Sequence, residues 1–344
     1  MKSGHRSLLT KRVREGEKSL TSSSIVGRRA WIAFAGSLLF SLVSCKQAPP
    51  SVALIPRACG TALWEPAHAG AEDVARAHGV TVYYNAPTLS NDVQKQIALL
   101  EKVVARHYSG IVLAPDETLA LRTPIKHILA KHIPIVVLGT ELGIEPGRNL
   151  SYVLNDEVSG GRLAARRLGE ILGGEGTVAI LGLNPKLLSL TLRERSFEET
   201  LASEFPRISV VTRRSGQASV AQEQEVADEL LQSGITLNAI VALSAESTRG
   251  AYYALVEFNQ TPAIKLIGFD QDLLPPVRNG GLDSVVVQNT YEIGRLAMEQ
   301  ICRKLRGDTT ADRTLVEPKL LTRNNIDSAE MHQILTAHWW EGND

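Results

Sequence analysis

Side chains that act as nucleophiles or metal ligands are sparse in this sequence, and they do not cluster. The chain has three cysteines, at positions 45, 59 and 302, and no Cys-x-x-Cys pair. His127 and His132 lie five residues apart, whereas paired zinc-binding histidines on one helical face lie four apart. A Gly-x-Ser-x-Gly elbow and a phosphate-binding loop are both missing from the sequence. These patterns argue against an enzyme, a metal site or another cofactor, and they favour a binding function.

The stretch Gly173-Gly174-Glu175-Gly176 is the one glycine-rich segment that invites comparison with a nucleotide site. It joins a predicted helix to a predicted strand, whereas a dinucleotide fingerprint follows a strand and opens a helix. We therefore interpret it as the end of a helix and a loop.

Composition narrows the class of protein further. The chain has 344 residues, 44% of them hydrophobic and 22% charged, which is typical of a globular protein with about two domains. Lys plus Arg and Asp plus Glu both number 37. No overall field would therefore attract the chain to nucleic acid, and its partners must be recognised locally.

The segment before Cys45 has the order of a secretory signal. Arg28-Arg29 precede an apolar run from Ala30 to Val43, which is shorter than the roughly 20 residues that span a bilayer. Leu42-Val43-Ser44-Cys45 resembles the bacterial lipobox, which implies cleavage after Ser44 and diacylation of Cys45. We predict a signal peptide over 1–44, a tether over 45–51 and an exported lipoprotein anchored to a membrane at the periplasm or cell surface.

From Ser51 onward, short apolar runs alternate with amphipathic segments, which predicts βαβ units and parallel sheets. One such helix carries Val93, Ile97, Leu100 and Val104 on a single face, with Ser90 as its expected N-cap. The predicted strands are Val52–Ile55, Val80–Tyr84, Gly110–Leu113, Ile133–Leu138, Val178–Leu181, Ile208–Val211, Ala239–Leu243, Ile264–Phe269 and Val285–Val287. In such sheets the ligand lies beyond the carboxyl ends of the strands, so the loops there are the candidate site.

Several short motifs, in their order and spacing, carry a family resemblance. They include Leu63-Trp64, Gly70-Ala71-Glu72, Arg193-Glu194-Arg195, Gly268-Phe269-Asp270 and Val287-Gln288. From Ser51 to Arg323 the chain resembles the sugar-binding type I periplasmic binding proteins, the family of the ribose-binding proteins. The resemblance implies a monomeric α/β protein that captures a small ligand and delivers it to an ABC-type membrane permease.

The same resemblance implies a domain organisation. Two doubly wound parallel-sheet lobes are joined by a three-strand hinge, with the ligand between them. The predicted N-terminal lobe is 52–155 plus 289–316, the C-terminal lobe is 156–288 plus 317–326, and a tail covers 327–344.

The resemblance also implies roles for particular side chains. Trp64 would stack on the face of a monosaccharide or related polar solute, and Arg195 would grip neighbouring oxygens. Asp270 would accept hydrogen bonds from hydroxyls, and Gln288 would both donate and accept. The full predicted ligand set is Thr61, Trp64, Glu141, Asp156, Glu157, Arg195, Ser244, Phe269, Asp270 and Gln288.

The sequence departs from the family pattern in ways that bear on the ligand. Ala114 replaces a frequent polar residue before Pro115, and Ser244 replaces an asparagine. The fourth strand ends in Gly139 instead of an aspartate, with Glu141 as a substitute only if the loop shifts. Ala218 stands at an aromatic position. We therefore expect fewer polar contacts than in a ribose site, with a different or larger sugar, a polyol or another small polar molecule as the ligand.

Two other functions fit the same architecture. A regulator of the lactose-repressor family would need an N-terminal helix-turn-helix, but an apolar run ending in Cys45 stands there instead. A ligand-sensing subunit for a sensor kinase or chemoreceptor would look the same as an importer subunit at this level. Cys59 and Cys302 are predicted to be buried free thiols, with a disulfide as the alternative if oxidation outside the cytoplasm joins them at close range.

Overall fold

The computed structural model describes residues 48–61, 63–89, 92–216, 219–269, 271 and 273–335. The predicted signal peptide, Cys45, Ser90, Ala218, Asp270 and the residues from 336 onward lie outside these ranges. The described chain forms two parallel-dominated α/β sheets with interleaved helices, which confirms the predicted fold class.

The sheet of the N-terminal lobe has six strands in the order β2-β1-β3-β4-β5-β11, all parallel. Its strands are β1 Ser51–Ile55, β2 Thr81–Tyr84, β3 Gly110–Leu113, β4 Ile135–Gly139, β5 Leu150–Asn155 and β11 Arg313–Val316. All four residues of β3 are buried, as expected of a strand covered on both faces by helices.

The sheet of the C-terminal lobe repeats this order as β7-β6-β8-β9-β10-β12. Only β12 is antiparallel to its neighbour among these strands. The strands are β6 Glu175–Leu183, β7 Arg207–Ser215, β8 Ala239–Ala242, β9 Lys265–Phe269, β10 Ser284–Val287 and β12 Lys319–Thr322. The order in both sheets is that of a doubly wound fold, in which the chain changes direction beside the first strand.

Helices cover both sheets. The N-terminal lobe has α1 Glu65–His78, α2 Val93–Ala105, α3 Arg122–Ala130 and α9 Thr290–Arg306. The C-terminal lobe has α4 Glu157–Leu172, α5 Leu188–Glu204, α6 Val220–Gln232, α7 Ala245–Glu257, α8 Leu274–Asn279 and α10 Ala329–Leu335. None of the helices in these ranges is long and apolar enough to cross a membrane.

The structure differs from the sequence prediction at several elements. Strands β5, β11 and β12 were not predicted, because polar residues such as Ser151 and Asn155 interrupt the apolar pattern. Helix α2 is capped by Asp92, whose carboxylate accepts a hydrogen bond from the Lys95 N–H at 3.2 Å. Helix α10 lies within the predicted tail, yet Met331 and Ile334 are buried in the core of the C-terminal lobe.

The chain crosses between the lobes three times. It passes from β5 to α4 at Asn155, from β10 to α9 at Gln288, and from β11 to β12 at residues 317–318. The N-terminal lobe is therefore completed by α9, which packs tightly on α1. A Cβ on Gly294 would lie 1.9 Å from the Ala67 carbonyl oxygen, so only glycine allows this approach.

Candidate functional site

A cavity of about 380 Å³ lies at the carboxyl ends of the strands of both sheets. Both lobes and the crossovers contribute to its lining, as the doubly wound topology predicts for a ligand site. The volume is in the range of small-molecule sites.

The side of the cavity formed by the N-terminal lobe is mostly non-polar. We call its non-polar part the apolar wall, which comprises Leu63, Trp64, Ala114, Pro115, Leu138, Gly139 and Thr140. It is bordered by Arg57, Gly60, Thr61 and Asn155 of the same lobe. Trp64 is 8% exposed and belongs to the same buried cluster as Ala114 and Leu138. Gly139 has φ +79°, and the indole ring lies 3.5 Å from where its Cβ would stand. The ring therefore lies against backbone at the end of β4.

A carboxylate behind the apolar wall fixes the loop that carries Trp64. Glu65 Oε1 accepts hydrogen bonds from the Gly60 N–H at 2.7 Å and from the Tyr84 hydroxyl at 2.9 Å. The Tyr84 ring stacks on His68 with centroids 3.9 Å apart. Burial, and then the bond to Glu65, raise the pKa of Tyr84 above its ordinary range, so the hydroxyl remains a donor.

The opposite side, formed by the C-terminal lobe, carries charged and hydrogen-bonding groups. We call it the polar wall, and it comprises Glu157, Arg193, Glu223, Ser244, Glu246 and Arg249. Arg193 Nε donates to Glu157 at 2.5 Å, and the two side chains are only 4% and 6% exposed. The guanidinium also donates to the Leu243 carbonyl oxygen at 2.6 Å and lies 4.6 Å from the centre of the Phe269 ring. These contacts hold a buried, bidentate ion pair in one geometry.

Helix ends and close helix contacts position the polar wall. Ser244 caps α7 in a reciprocal capping box with Ser247, which places Ser244 at the cavity. Gly161 lets α4 approach α5, since a Cβ there would lie 2.3 Å from the Arg193 carbonyl oxygen. This approach brings Glu157 on α4 within bonding distance of Arg193 on α5.

Two sets of polar contacts link the lobes around the cavity. The Asn155 side-chain amide donates to the Gln288 side-chain oxygen, so two of the crossovers are bonded to each other at the cavity. On loops after β3 and β6, Lys186 Nζ donates to Glu117 at 3.0 Å, and Thr118 Oγ1 donates to the Lys186 carbonyl oxygen at 2.7 Å. We call this second set the cross-lobe contact.

The structure brings together about half of the predicted ligand residues. Thr61, Trp64, Glu157, Ser244 and Gln288 line the cavity. Phe269 lies behind it, under Arg193. Asp270 lies outside the described residues.

Three predicted residues lie elsewhere, each for a local reason. Arg195 is 62% exposed on α5 and pairs with Glu199, so Arg193 and not Arg195 lines the cavity. Asp156 caps α4 by accepting from the Ser159 N–H at 2.9 Å, which uses the carboxylate locally. Glu141 pairs with Arg313 on the outside of the lobe, so the loop does not shift to replace an aspartate at Gly139.

Sequence reasoning missed further lining residues, notably Arg57, Thr140, Asn184, Glu223, Glu246, Arg249 and Arg193 itself. Arg193 was recognisable from helical spacing, because Leu190, Arg193 and Phe197 share the buried face of α5. Thr140 directly follows the last residue of β4, where the topology rule places ligand contacts. Arg57 and Asn184 lie on loops, whereas Glu223, Glu246 and Arg249 lie near the starts of α6 and α7. No motif or spacing in the sequence marked these five as lining residues.

The described lining contains no histidine, cysteine, lysine or tyrosine. Within the described ranges there is also no cluster of His, Cys, Asp and Glu side chains able to hold a metal ion. Cys59 and Cys302 are free thiols, as predicted, but only Cys302 is buried, and burial raises its pKa to about 11. The cavity therefore offers a stacking surface, hydrogen bonds and a buried ion pair.

Comparison with known proteins places these features in a family. The chain is 27% identical over 232 residues to the ribose import binding protein RbsB of Bacillus subtilis, covering 67% of this chain and 73% of that protein. It is 25% identical over 275 residues to the D-allose-binding periplasmic protein of Escherichia coli, covering 77% and 88%.

Solved structures share the fold. The carbohydrate transporter solute binding protein from Agrobacterium radiobacter, in complex with D-arabinose, has a TM-score of 0.79 at 23% identity and covers 84% of this chain and 100% of that one. GanP, a glucose-galactose binding protein from Geobacillus stearothermophilus, has a TM-score of 0.76 at 26% identity over 82% and 100%. A family model described as periplasmic binding protein domain matches residues 52–309, and the chain therefore belongs to the periplasmic binding protein family.

Proposed function

We propose that this protein captures a sugar in the cavity between its lobes and delivers it to an ABC-type importer in the membrane. The observation that carries the proposal is a cavity with an aromatic ring on one wall and a bonded Glu157–Arg193 pair on the other. A sugar presents C–H faces that suit an indole ring and hydroxyls that suit charged and amide partners. Relatives named for ribose and allose binding support the same ligand class.

The ligand contacts follow from this arrangement. Trp64 stacks on the sugar, while Glu157, Arg193, Ser244 and Gln288 hold its hydroxyls. Thr61 and Phe269 act less directly. The Thr61 hydroxyl accepts a hydrogen bond from the backbone N–H of Trp64, and the Phe269 ring packs under the Arg193 guanidinium. Asp270 remains a predicted ligand residue on the strength of the family resemblance alone.

Closure of the two lobes is the proposed mechanism. The segments 52–155 plus 289–316 and 156–288 plus 317–326 rotate about the three crossovers as rigid bodies, in the manner known for periplasmic binding proteins. A ligand favours the closed form only through contacts that the open form lacks, and walls on separate lobes supply that difference. The closed surface then docks on the permease.

We also propose where the protein is located and how it is anchored. The protein is exported as a monomer to the periplasm or cell surface, and diacylated Cys45 anchors it to the membrane. Mass spectrometry of the mature chain tests the anchor, because it should begin at Cys45 and carry the added mass of the acyl chains. A mature chain without lipid would contradict the anchor and leave the binding function intact.

Calorimetry and tryptophan fluorescence with a panel of pentoses, hexoses and polyols test the binding function. We expect saturable micromolar or tighter binding of one class by the full chain in detergent. Arg195→Ala is the control and should bind as the parent does, whereas Arg193→Ala should lose binding. If no sugar in the panel bound, the result would contradict sugar capture.

Uptake of the bound sugar separates import from sensing. Deleting the gene should abolish high-affinity uptake if the protein serves an importer. If uptake persists while a transcriptional or chemotactic response to the sugar is lost, the protein is a sensory subunit.

A further inference from the structure

Charged side chains are unequally divided between the two lobes at the cavity. The polar wall supplies three carboxylates and two guanidiniums, at Glu157, Glu223, Glu246, Arg193 and Arg249. From the N-terminal lobe, Arg57 is the only charged residue among the described lining, and its guanidinium donates to buried Asp116 at 3.3 Å. The apolar wall itself therefore offers no charged group to a ligand.

Backbone polar groups of the apolar wall are also engaged within the protein. The Ala114 N–H donates to the Ile55 carbonyl oxygen at 3.0 Å. The Ala114 carbonyl oxygen accepts from Gln96 Nε2 at 2.8 Å, and Pro115 has no N–H. The Leu138 carbonyl oxygen accepts from the Thr140 N–H at 3.0 Å. Both strand ends thus present few groups able to bond a ligand.

Thr140 is the exception on this wall. Its hydroxyl is buried, with the residue 8% exposed, and it has no hydrogen-bond partner among the described residues. A buried hydroxyl without a partner is costly, so a ligand atom that bonded it would be favoured. The apolar wall therefore has a place for one ligand hydroxyl, at Thr140.

Backbone geometry and core packing keep polar side chains away from the end of β4. Gly139 has a positive φ and lies under the Trp64 ring, so a polar side chain there would bring backbone strain. Ala114, Leu138 and Trp64 belong to the core cluster beneath the sheet, which fixes their positions. Ala114 and Leu138 are 1% and 0% exposed, so the non-polar surface that a ligand meets beside them is the Trp64 ring. A hydroxyl against that ring would lose water without gaining a partner, whereas a methyl or methylene group would be stabilised by burial.

We propose that the ligand is a sugar with one hydroxyl-rich edge and one non-polar edge, that is, a deoxy sugar or an O-methyl sugar. This inference rests on the proposed sugar-binding function. The hydroxyl-rich edge faces the polar wall. The non-polar edge faces the Trp64 ring and the partly buried Leu63, with one hydroxyl bonded to Thr140.

Matched sugars that differ by one hydroxyl test the proposal. Calorimetry with the full chain in detergent compares D-glucose, D-galactose and D-ribose with each of their monodeoxy and mono-O-methyl forms, together with L-fucose and L-rhamnose. We expect at least one such form to bind about tenfold tighter than its fully hydroxylated parent, equivalent to about 1.4 kcal/mol. If every parent binds as tightly as or tighter than its derivatives, the inference is wrong while sugar capture stands. If no sugar binds, the proposed function fails and the inference with it.

A pair of alanine-to-serine variants locates the selectivity. Ala114→Ser adds a hydroxyl to the apolar wall, and Ala245→Ser adds one to the lining contributed by the C-terminal lobe. We expect Ala114→Ser to reduce the preference for the deoxy or O-methyl form at least threefold, and Ala245→Ser to leave it unchanged. Equal shifts in both variants would overturn the assignment of the non-polar edge to the apolar wall.

Discussion

The two walls of the cavity are held in place by different forces. The apolar wall is the cavity-side end of a hydrophobic core, in which Trp64, Ala114 and Leu138 pack together and are 8%, 1% and 0% exposed. The polar wall depends on directed bonds, chiefly those that Arg193 makes with Glu157 and Leu243. A packed wall tolerates substitutions that conserve volume, whereas a buried ion pair tolerates loss of neither partner. Mutations should therefore separate the walls by the size and kind of their effects.

The largest effect is expected on the polar wall. Arg193→Ala leaves Glu157 buried and without its ion-pair partner, which should lower the free energy of unfolding by about 4 kcal/mol. Arg195→Ala, two residues along the same helix, should change it by less than about 0.5 kcal/mol because its side chain is 62% exposed. Urea unfolding of both variants measures the contrast, and equal losses would contradict the assignment of the buried pair to Arg193.

On the apolar wall, Trp64→Ala should lower the free energy of unfolding by about 3 kcal/mol and abolish binding. Trp64→Phe keeps an aromatic face and should retain most of the stability and measurable binding. Thermal unfolding and calorimetry together distinguish the two. Binding by Trp64→Ala at the affinity of the parent would show that the ring does not touch the ligand.

Thr140→Val should lower the affinity for the ligand without lowering the free energy of unfolding. The hydroxyl lacks a protein partner, so a methyl of the same shape should leave the free energy of unfolding unchanged or raise it slightly. Affinity should fall about fivefold, or about 1 kcal/mol, because one ligand bond is lost. Thr61→Val serves as the comparison, since the Thr61 hydroxyl already accepts a hydrogen bond from the backbone N–H of Trp64. A loss of stability in Thr140→Val with unchanged affinity would assign the hydroxyl to structure.

The smallest effect is expected at the cross-lobe contact, which connects the two lobes independently of the walls. Lys186→Ala removes an exposed ion pair with Glu117, worth about 0.5 kcal/mol. We expect ligand dissociation about twofold faster at low salt, with the difference vanishing at high salt because exposed pairs are screened. Stopped-flow measurements at two salt concentrations check this, and a salt-independent change would point away from the ion pair.

The difference between packed and hydrogen-bonded regions also explains which elements could be predicted from the sequence. Strands such as β3, and most of β1 and β9, were predictable because buried runs of apolar residues mark them directly. Trp64 was predicted on different grounds, because its position after the first strand matches the stacking aromatic residue of the resembled family. Strand β5 was not, because Ser151 and Asn155 break its pattern although Ser151 is fully buried.

The polar wall was harder to predict because it depends on helix phase and on contacts between distant segments. Arg193 and Arg195 are the same residue type two positions apart, yet they point to different faces of α5. Glu157 was among the predicted ligand residues, but Arg193, which bonds it, was not, because 36 residues separate the two in the sequence. Thr140 was passed over for Glu141, whose longer charged side chain instead bonds Arg313.

The three crossovers also bear on how the chain folds as it is made. The N-terminal lobe takes one of its four described helices from residues 290–306 and an edge strand from residues 313–316, late in the sequence. The ribosome must therefore produce nearly all of the C-terminal lobe before the first lobe can complete its sheet. Domains usually fold in turn from the N-terminus during synthesis. In this chain the interleaving of the two lobes delays completion of the N-terminal lobe until translation is almost finished.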